Sequence, residues 1–443
     1  MKLRLVLLAI TIGCCKPAFS ANLLDVFDQA LQNDPVIAAA KAKLDIVKQN
    51  YPQAVSQWLP KINVQGRYGK VTQQLQGGAL VQPDELGPYQ YDDIWYELNL
   101  TQPLFNIPAF HDIRVADAEA LAATAEYRYE QQQLIFRVTD AYLSTLAQSD
   151  RLKLASEKRS VYEDILQKAQ ALVRSGKAPS SDVQTVEAAK DLAVVAEVQA
   201  ENQLIYRREV LRQLAGKEVT DMRRLIANTP LSPPTPTNME AWTNTALQQN
   251  LKLVSLKMRV DAAQRQVSRY RSEHLPQIDL RASYGRYTDG SFFGTQSLDQ
   301  RVAVDFKMPL FAGGTTSSRV KQGNSNVELA KAEYQKAENE VLIATRDAYL
   351  SVLSGMSNVR AMNHALNSSQ NALNATIRDY DRGQRPIAEL TDAIESFFDT
   401  RGRYEQIRYD FIINTMRLRT LVGQATVDDL VMVNNWLDSS TLN

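Results

Sequence analysis

The chain has 443 residues, enough for two or three ordinary domains, and its 50 basic side chains balance its 50 acidic ones. This balance gives no reason to expect a nucleic-acid-binding protein. Beyond the N-terminus there is no run of about twenty apolar residues, so we expect no membrane-spanning helix in the mature protein.

Residues 1–20 have the features of a secretory signal peptide: a basic start, an apolar core and small residues before the expected cleavage after Ser20. Two alternatives stay open, a buried N-terminal helix and a lipoprotein cleaved before Cys14 or Cys15. If residues 1–20 are removed, the exported protein has no cysteine and does not rely on disulfide bonds.

The rest of the sequence repeats itself. LPKINVQGRYG at 59–69 returns as LPQIDLRASYG at 275–285, and DAYLSTL at 140–146 returns as DAYLSVL at 347–353. A repeat of roughly two hundred residues is too long for a solenoid unit and indicates tandem duplication of a structural half. The predicted organisation is a signal peptide at 1–20, a first repeat at 21–226, a Pro/Thr-rich linker at 227–239, a second repeat at 240–423 and a C-terminal tail at 424–443.

Each repeat contains two segments in which apolar and polar residues alternate, which predicts strands with one apolar and one polar face. The apolar positions are Ile62, Val64, Tyr68, Ile94, Tyr96, Leu98, Leu100, Ile278, Leu280, Ala282, Tyr284, Val302, Val304 and Phe306. Candidate interfacial aromatic residues are Tyr68, Trp95, Tyr284, Tyr287, Phe292 and Phe293. A strand of about ten residues crosses a bilayer when tilted. Loops are expected at about 72–92 and 288–298. The alternative is a soluble antiparallel sheet packed on helices.

Four strands cannot close a barrel, and an open sheet edge is not tolerated in lipid. The chain is therefore expected to oligomerise. Two copies would give eight strands and a barrel filled by its own side chains, whereas three copies would give twelve strands around a passage.

Long helices are predicted after the strands of each repeat. The run 109–175 contains no Gly or Pro and would form a helix on the order of 100 Å long at 1.5 Å per residue. Further helical runs are predicted at 180–215, at 315–382 and at 387–422.

Two breaks at equivalent positions separate these helices. Gly176 and Pro179 end the first long helix, and Gly383 and Pro386 occupy the equivalent positions 207 residues later. Each repeat therefore ends in a helical hairpin with a tight tip. Periodicity alone fits either a coiled-coil scaffold or a wall of helices around a duct.

This combination resembles the TolC family of outer-membrane efflux and type I secretion channels. The resemblance covers the whole mature chain and rests on the repeated LP strand starts, on QPLF and MPLF at 102–105 and 308–311, and on the two tips. It implies a mainly α fold with a membrane β-barrel portion, in which a homotrimer builds a twelve-stranded outer-membrane barrel and a periplasmic helical tunnel. It also implies a periplasmic adaptor (membrane fusion) protein, an inner-membrane transporter and outer-membrane lipid as partners.

Two acidic residues of the second tip are candidates for a constriction. Glu389 and Asp392 are three positions apart on one predicted helix and share a face. In a trimer they would form two rings of carboxylates, which attract cations at a narrow point. The resemblance places them at the acidic constriction of the family; the alternative is two solvated acids on a helix surface.

The resemblance also implies contacts that hold the tips closed. Tyr380 would donate a hydrogen bond to Asp182, and Arg385 would bond Ser181 or Asp182. A charge-assisted bond contributes about 1.5–3 kcal/mol, so three copies of each would bias a two-state gate that an adaptor could still open.

The sequence contains none of the common catalytic or nucleotide-binding motifs, and its 3 histidines are widely spaced. We therefore expect no enzyme, no cofactor and no metal site, and a passive channel driven by its partner pump. The main alternative is a periplasmic coiled-coil scaffold or adaptor protein that is not inserted in a membrane. The sequence leaves open which cargo passes and which transporter is served.

Overall fold

The structure is a computed structural model. The described residues are 22–75, 87–226, 230–289 and 296–441. The predicted signal peptide, with Cys14 and Cys15, lies outside them, as do Phe292 and Phe293 of the predicted aromatic set.

In chain order the elements are α1 (Leu23–Asn33), α2 (Pro35–Ser56), β1 (Lys61–Leu75), β2 (Gly87–Phe105), α3 (Ile107–Arg174), α4 (Ser180–Ala215), β3 (Arg223–Leu225), α5 (Met239–Gln249), α6 (Leu251–Ser272), β4 (Gln277–Asp289), β5 (Gln296–Lys307), α7 (Thr315–Asp381), α8 (Ile387–Leu421), α9 (Val427–Asn434) and β6 (Leu437–Thr441).

The chain divides into two compact units, and each contains segments from both repeats. The sheet unit consists of Ala39–Tyr129 and Gln248–Val341. The helical unit consists of the chain up to Ala38, the segment Glu130–Leu247 and the chain from Leu342 onward.

The sheet unit contains a four-stranded antiparallel sheet in the order β1-β2-β4-β5. Its register places apolar residues side by side, since Ile62 faces Leu100, Leu100 faces Ala282 and Ala282 faces Val302. The next row of the sheet consists of Asn63, Asn99, Ser283 and Arg301. Because successive side chains point to opposite faces, the sheet has one apolar and one polar face, which confirms the alternation predicted from sequence.

The strands are longer than expected, with 15, 19, 13 and 12 residues in β1, β2, β4 and β5. The loops predicted at about 72–92 and 288–298 are longer than those in the structure. β1 continues to Leu75 and β2 begins at Gly87, while β4 continues to Asp289 and β5 begins at Gln296. Backbone pairing extends past the apolar alternation because each added pair satisfies N–H and C=O groups whatever the side chains are.

The two strand-to-helix junctions differ although their sequences are similar. QPLF at 102–105 belongs to β2, with a register shift after Pro103. Proline lacks a backbone N–H, so the ladder cannot continue regularly there. MPLF at 308–311 lies outside β5, and Gly313 and Gly314, with φ of +61° and +83°, lead into α7.

The four long helices agree with the sequence prediction to within two residues at each end. The longest are α3 and α7, with 68 and 67 residues. None of the helices among the described residues combines the length and the apolar character needed to span a membrane.

A hydrophobic core joins the long helices of the helical unit. Leu390 and Ile394 of α8 are fully buried against Tyr162 of α3, Val186 of α4 and Leu373 of α7. The four-residue spacing of Leu390 and Ile394 keeps both side chains on one face of α8. This shared core packs the first hairpin against the second.

The helical unit also contains the first and the last described elements, α1 and β6. β3 pairs with β6 in an antiparallel ribbon, so the predicted tail at 424–443 contributes both α9 and a strand. Asp34 follows α1, and its buried carboxylate forms an ion pair with Arg137 of α3. The distance between Asp34 Oδ2 and Arg137 Nη2 is 2.5 Å.

Candidate functional site at the helical tips

The two hairpin tips have the same backbone structure. Gly176 and Gly383 each have φ of +71°, a left-handed conformation that glycine adopts without steric cost. At the first tip, the N–H of Gly176 donates to Val173 and that of Lys177 donates to Leu172, at 3.0 and 2.9 Å. This pair of bonds is a Schellman motif, which satisfies carbonyl groups left free at the end of a helix.

The second tip repeats this arrangement. The N–H of Gly383 donates to Tyr380 and that of Gln384 donates to Asp379, at 2.8 and 2.9 Å. Pro179 and Pro386 precede α4 and α8, with φ of −72° and −70°. The four predicted tip residues therefore define two matching turns.

Ser181 and Asp182 lie in the first turn of α4. The N–H of Asp182 donates to the carbonyl oxygen of Pro179 at 3.1 Å, and the Thr185 hydroxyl donates to the carbonyl oxygen of Ser181 at 3.0 Å. An acidic side chain here interacts favourably with the positive end of the helix dipole.

The predicted bond between Arg385 and Ser181 or Asp182 is not formed in this structure. The Arg385 guanidinium instead pairs within its own hairpin, with 3.4 Å between Nε and Asp379 Oδ2 and 2.9 Å between Nη1 and Glu389 Oε2. Arg385 lies in the turn between the end of α7 and the start of α8, so the carboxylates of these two helix ends are its nearest partners.

The predicted hydrogen bond from Tyr380 to Asp182 is not formed either. Tyr380 is 6% exposed, and within the described part of the chain its hydroxyl group has no hydrogen-bond partner. Burial raises the pKa of this hydroxyl, and the negative charges of Asp182 and Asp381 raise it further. The tyrosine thus packs near Asp182 without bonding to it, since the hydrophobic core holds its ring.

Glu389 and Asp392 lie on α8, with both side chains exposed. Glu389 carries the ion pair with Arg385, whereas Asp392 forms no ion pair among the described residues. The helix therefore presents one partly neutralised and one free carboxylate on the shared face.

Sequence reasoning missed a cluster one turn beyond Asp392. Glu395 of α8 forms an ion pair with Lys158 of α3 and accepts a hydrogen bond from the Tyr162 hydroxyl, with 3.4 Å between the oxygens. The ion pair borders an open groove of about 750 Å³. The spacing of Glu395 from Asp392 continues that of Glu389, which was a usable sequence signal.

Within the described residues, no group of three or more His, Cys, Asp or Glu side chains could hold a metal ion.

The comparisons with known proteins agree with this architecture. The family model for outer membrane efflux proteins matches residues 26–217 and 242–424. The outer membrane protein TolC of Vibrio cholerae is 27% identical, with 94% of each chain covered. The alkaline protease secretion protein AprF of Pseudomonas aeruginosa is 27% identical over 94% of this chain and 87% of its own. The solved structure of CusC superimposes with a TM-score of 0.79 at 16% identity, covering 92% of this chain and 94% of that one.

This chain belongs to the TolC family of outer membrane efflux proteins. It is an outer-membrane efflux or secretion channel protein with a periplasmic helical domain, and it is not an enzyme. The family assignment decides between the two interpretations of the sequence in favour of the channel. Channels of this family are trimeric.

Proposed function

We propose that this chain forms a homotrimeric exit duct that is gated at its periplasmic tips. Three copies supply twelve strands for a closed barrel and twelve long helices, from α3, α4, α7 and α8, for a tunnel. The duct is passive and takes its driving force from a partner pump.

The four-stranded sheet supports this proposal most strongly. β1 and β5 lie at its two edges. In the described part of the chain, each of them pairs with one neighbouring strand and has one free edge. Its apolar face is open, with Val64 76% and Val302 77% exposed. Lipid tolerates an apolar surface but not free backbone groups at a strand edge, so the two edges must meet those of other copies.

The acidic face of α8 supports a gate at the second tip. Glu389 and Asp392 of three copies would line a constriction that attracts cations. The proposal keeps Ser181, Asp182, Tyr380 and Arg385 as contacts that hold the tips closed. Its support there is the buried hydroxyl of Tyr380, which lies near Asp182 and has no partner among the described residues.

The duct is proposed to engage a periplasmic adaptor protein and an inner-membrane transporter. Both a tripartite efflux pump and a type I secretion system fit, because the matching family is described as outer membrane efflux proteins and one relative is named for secretion of an alkaline protease. The partner transporter would select the cargo.

The test combines mass and conductance measurements on the detergent-extracted protein. We expect the mass of three chains by light scattering, and cation-selective channels of low conductance in planar bilayers. A monomeric or dimeric mass, or well-folded protein that forms no channels, would contradict the proposal.

A further inference from the structure

Near the second tip, two side chains of the first hairpin contact a single carboxylate of the second hairpin. Glu395 of α8 pairs with the ammonium group of Lys158 on α3. The hydroxyl of Tyr162, also on α3, lies 3.4 Å from Glu395 Oε2 and 3.4 Å from the carbonyl oxygen of Thr391. A hydroxyl has one proton to donate, so Tyr162 shares it between two acceptors on α8.

The surroundings shield Lys158 and Tyr162 of α3 from water, whereas the Glu395 side chain is 59% exposed. Tyr162 is 2% exposed and belongs to the hydrophobic core that joins the four long helices. The Lys158 side chain is 20% exposed. By contrast, the Lys168–Asp381 pair, which also joins the hairpins, has both side chains 50% exposed and is open to screening by solvent.

Among the described residues of one chain, Arg385 pairs with carboxylates of its own hairpin and Tyr380 makes no hydrogen bond. Glu395, by contrast, makes polar contacts across the two hairpins. These contacts resist a movement of one hairpin relative to the other, because such a movement must separate α8 from α3.

We propose that Lys158 and Tyr162 form a clasp on Glu395 that fixes α8, and with it the carboxylate of Asp392, in the closed position. This inference rests on the proposed gate at the second tip. Lys158, Tyr162 and Glu395 act as positioning residues, since the constriction itself consists of other side chains.

The clasp also controls the negative charge on the acidic face of α8. Glu395 follows Asp392 by three positions, as Asp392 follows Glu389, so the three carboxylates lie along one side of α8. While Lys158 pairs with Glu395, that charge is neutralised. Release of the clasp would add a third carboxylate to the acidic face, so opening and increased cation attraction would occur together.

Two variants separate these effects in planar bilayers. Lys158→Met breaks the pair and leaves the Glu395 charge, so we expect a several-fold rise in conductance and stronger cation selectivity. Glu395→Gln breaks the pair and removes the charge, so conductance should rise without any gain in selectivity. Equal selectivity in the two variants would overturn the charge-controlling role, because a purely structural defect would affect both alike.

The charge-swapped double variant, Lys158→Glu with Glu395→Lys, should return the conductance toward the wild-type value. A matched control is Glu328→Gln, which breaks an exposed pair with Lys331 within α7 and should leave conductance unchanged. If the swapped variant conducts as strongly as the single variants, the clasp is overturned. Wild-type conductance in the single variants would also overturn it.

The outcomes distinguish the clasp from the proposed function. If wild-type protein forms no channels, the proposed duct fails and the clasp fails with it. If the wild type conducts and Asp392→Asn alters its selectivity, but the clasp variants conduct like wild type, only the clasp is overturned.

Discussion

The two hairpin tips have nearly the same backbone and very different side chains. Both turns place a glycine at φ of +71° and a proline before the following helix. Asp182 and Glu389 occupy equivalent positions three residues after those prolines. The second tip has Tyr380, Arg385, Asp392 and Glu395 where the first has Val173, Ala178, Thr185 and Ala188.

The two repeats have therefore kept the backbone of the turn and diverged in the charged side chains around it. The first tip has the glycine and the proline that form the tight turn. The second adds an acidic face on α8 and side chains that interact with it. Substitutions in the shared turn should therefore affect both tips similarly, whereas substitutions that remove a charge should change ion selectivity mainly at the second tip.

The largest expected effect is loss of core packing. Leu390→Ala, at a fully buried position of α8, should destabilise the helical unit by about 2–5 kcal/mol, through lost burial and the cavity left behind. Val186→Ala, equally buried on α4, removes fewer carbons and should cost less. Urea unfolding followed by circular dichroism measures both, and a larger loss for Val186→Ala would contradict this description of the core.

The next effect concerns ion selectivity. Asp392→Asn removes a free carboxylate from the proposed constriction, so the reversal potential in a salt gradient should move well toward zero. Glu187→Gln removes an exposed carboxylate from α4 near the first tip and is the matched control, with a much smaller shift expected. Equal shifts for the two variants would show that the acidic face of α8 has no special role.

A smaller effect tests the shared turn. Gly176→Ala and Gly383→Ala force a residue with a side chain into the left-handed region, at about 1–2 kcal/mol each. An added Cβ would meet nothing within 4 Å at either position, so the cost is conformational in both cases. Thermal unfolding should show similar losses, and a clear difference would mean that the turns are not equivalent.

The smallest effect concerns a partly buried carboxyl group in the first copy of the repeated DAYLS motif. Burial raises the pKa of Asp140, and Asp410 raises it further, although Arg207 and Ser144 lower it. The folded-state pKa then exceeds the unfolded one, so stability falls as pH rises between the two values and stays reduced at neutral pH. Asp140→Asn should therefore slightly stabilise the protein at neutral pH, and this gain should vanish in acid.

The control for Asp140 is its equivalent in the second repeat. Asp347 is 59% exposed and pairs with Arg417 at 3.1 Å. Asp347→Asn should produce no stabilisation at neutral pH. If it stabilises the protein as much as Asp140→Asn, burial is not the cause.

Much of the fold could be predicted from sequence because its determinants are local. Gly and Pro mark the ends of the long helices, and alternation at Ile62 and Val64 identifies a strand. The strand ends were less predictable, since pairing between backbones extended β1 and β2 through residues without the pattern.

The candidate site could be predicted only in part. Spacing alone brings Glu389 and Asp392 together on one helix. The contact between Tyr162 and Glu395 joins positions 233 residues apart and depends on how α3 packs on α8, which no local pattern encodes. Arg385 shows the opposite case, because within one chain it binds the nearer carboxylates of its own hairpin and not the partners expected on the first tip.

The central claim is that the acidic face of the second tip lines the constriction of the duct. The direct measurement is block of single channels by Cd²⁺ added on the periplasmic side, in Asp392→Cys and Asp182→Cys variants. Three thiolates around a narrow passage would bind this soft ion tightly, so the account predicts strong block of Asp392→Cys channels and none beyond the wild-type level for Asp182→Cys. Unblocked Asp392→Cys channels, or equal block of both variants, would contradict the account.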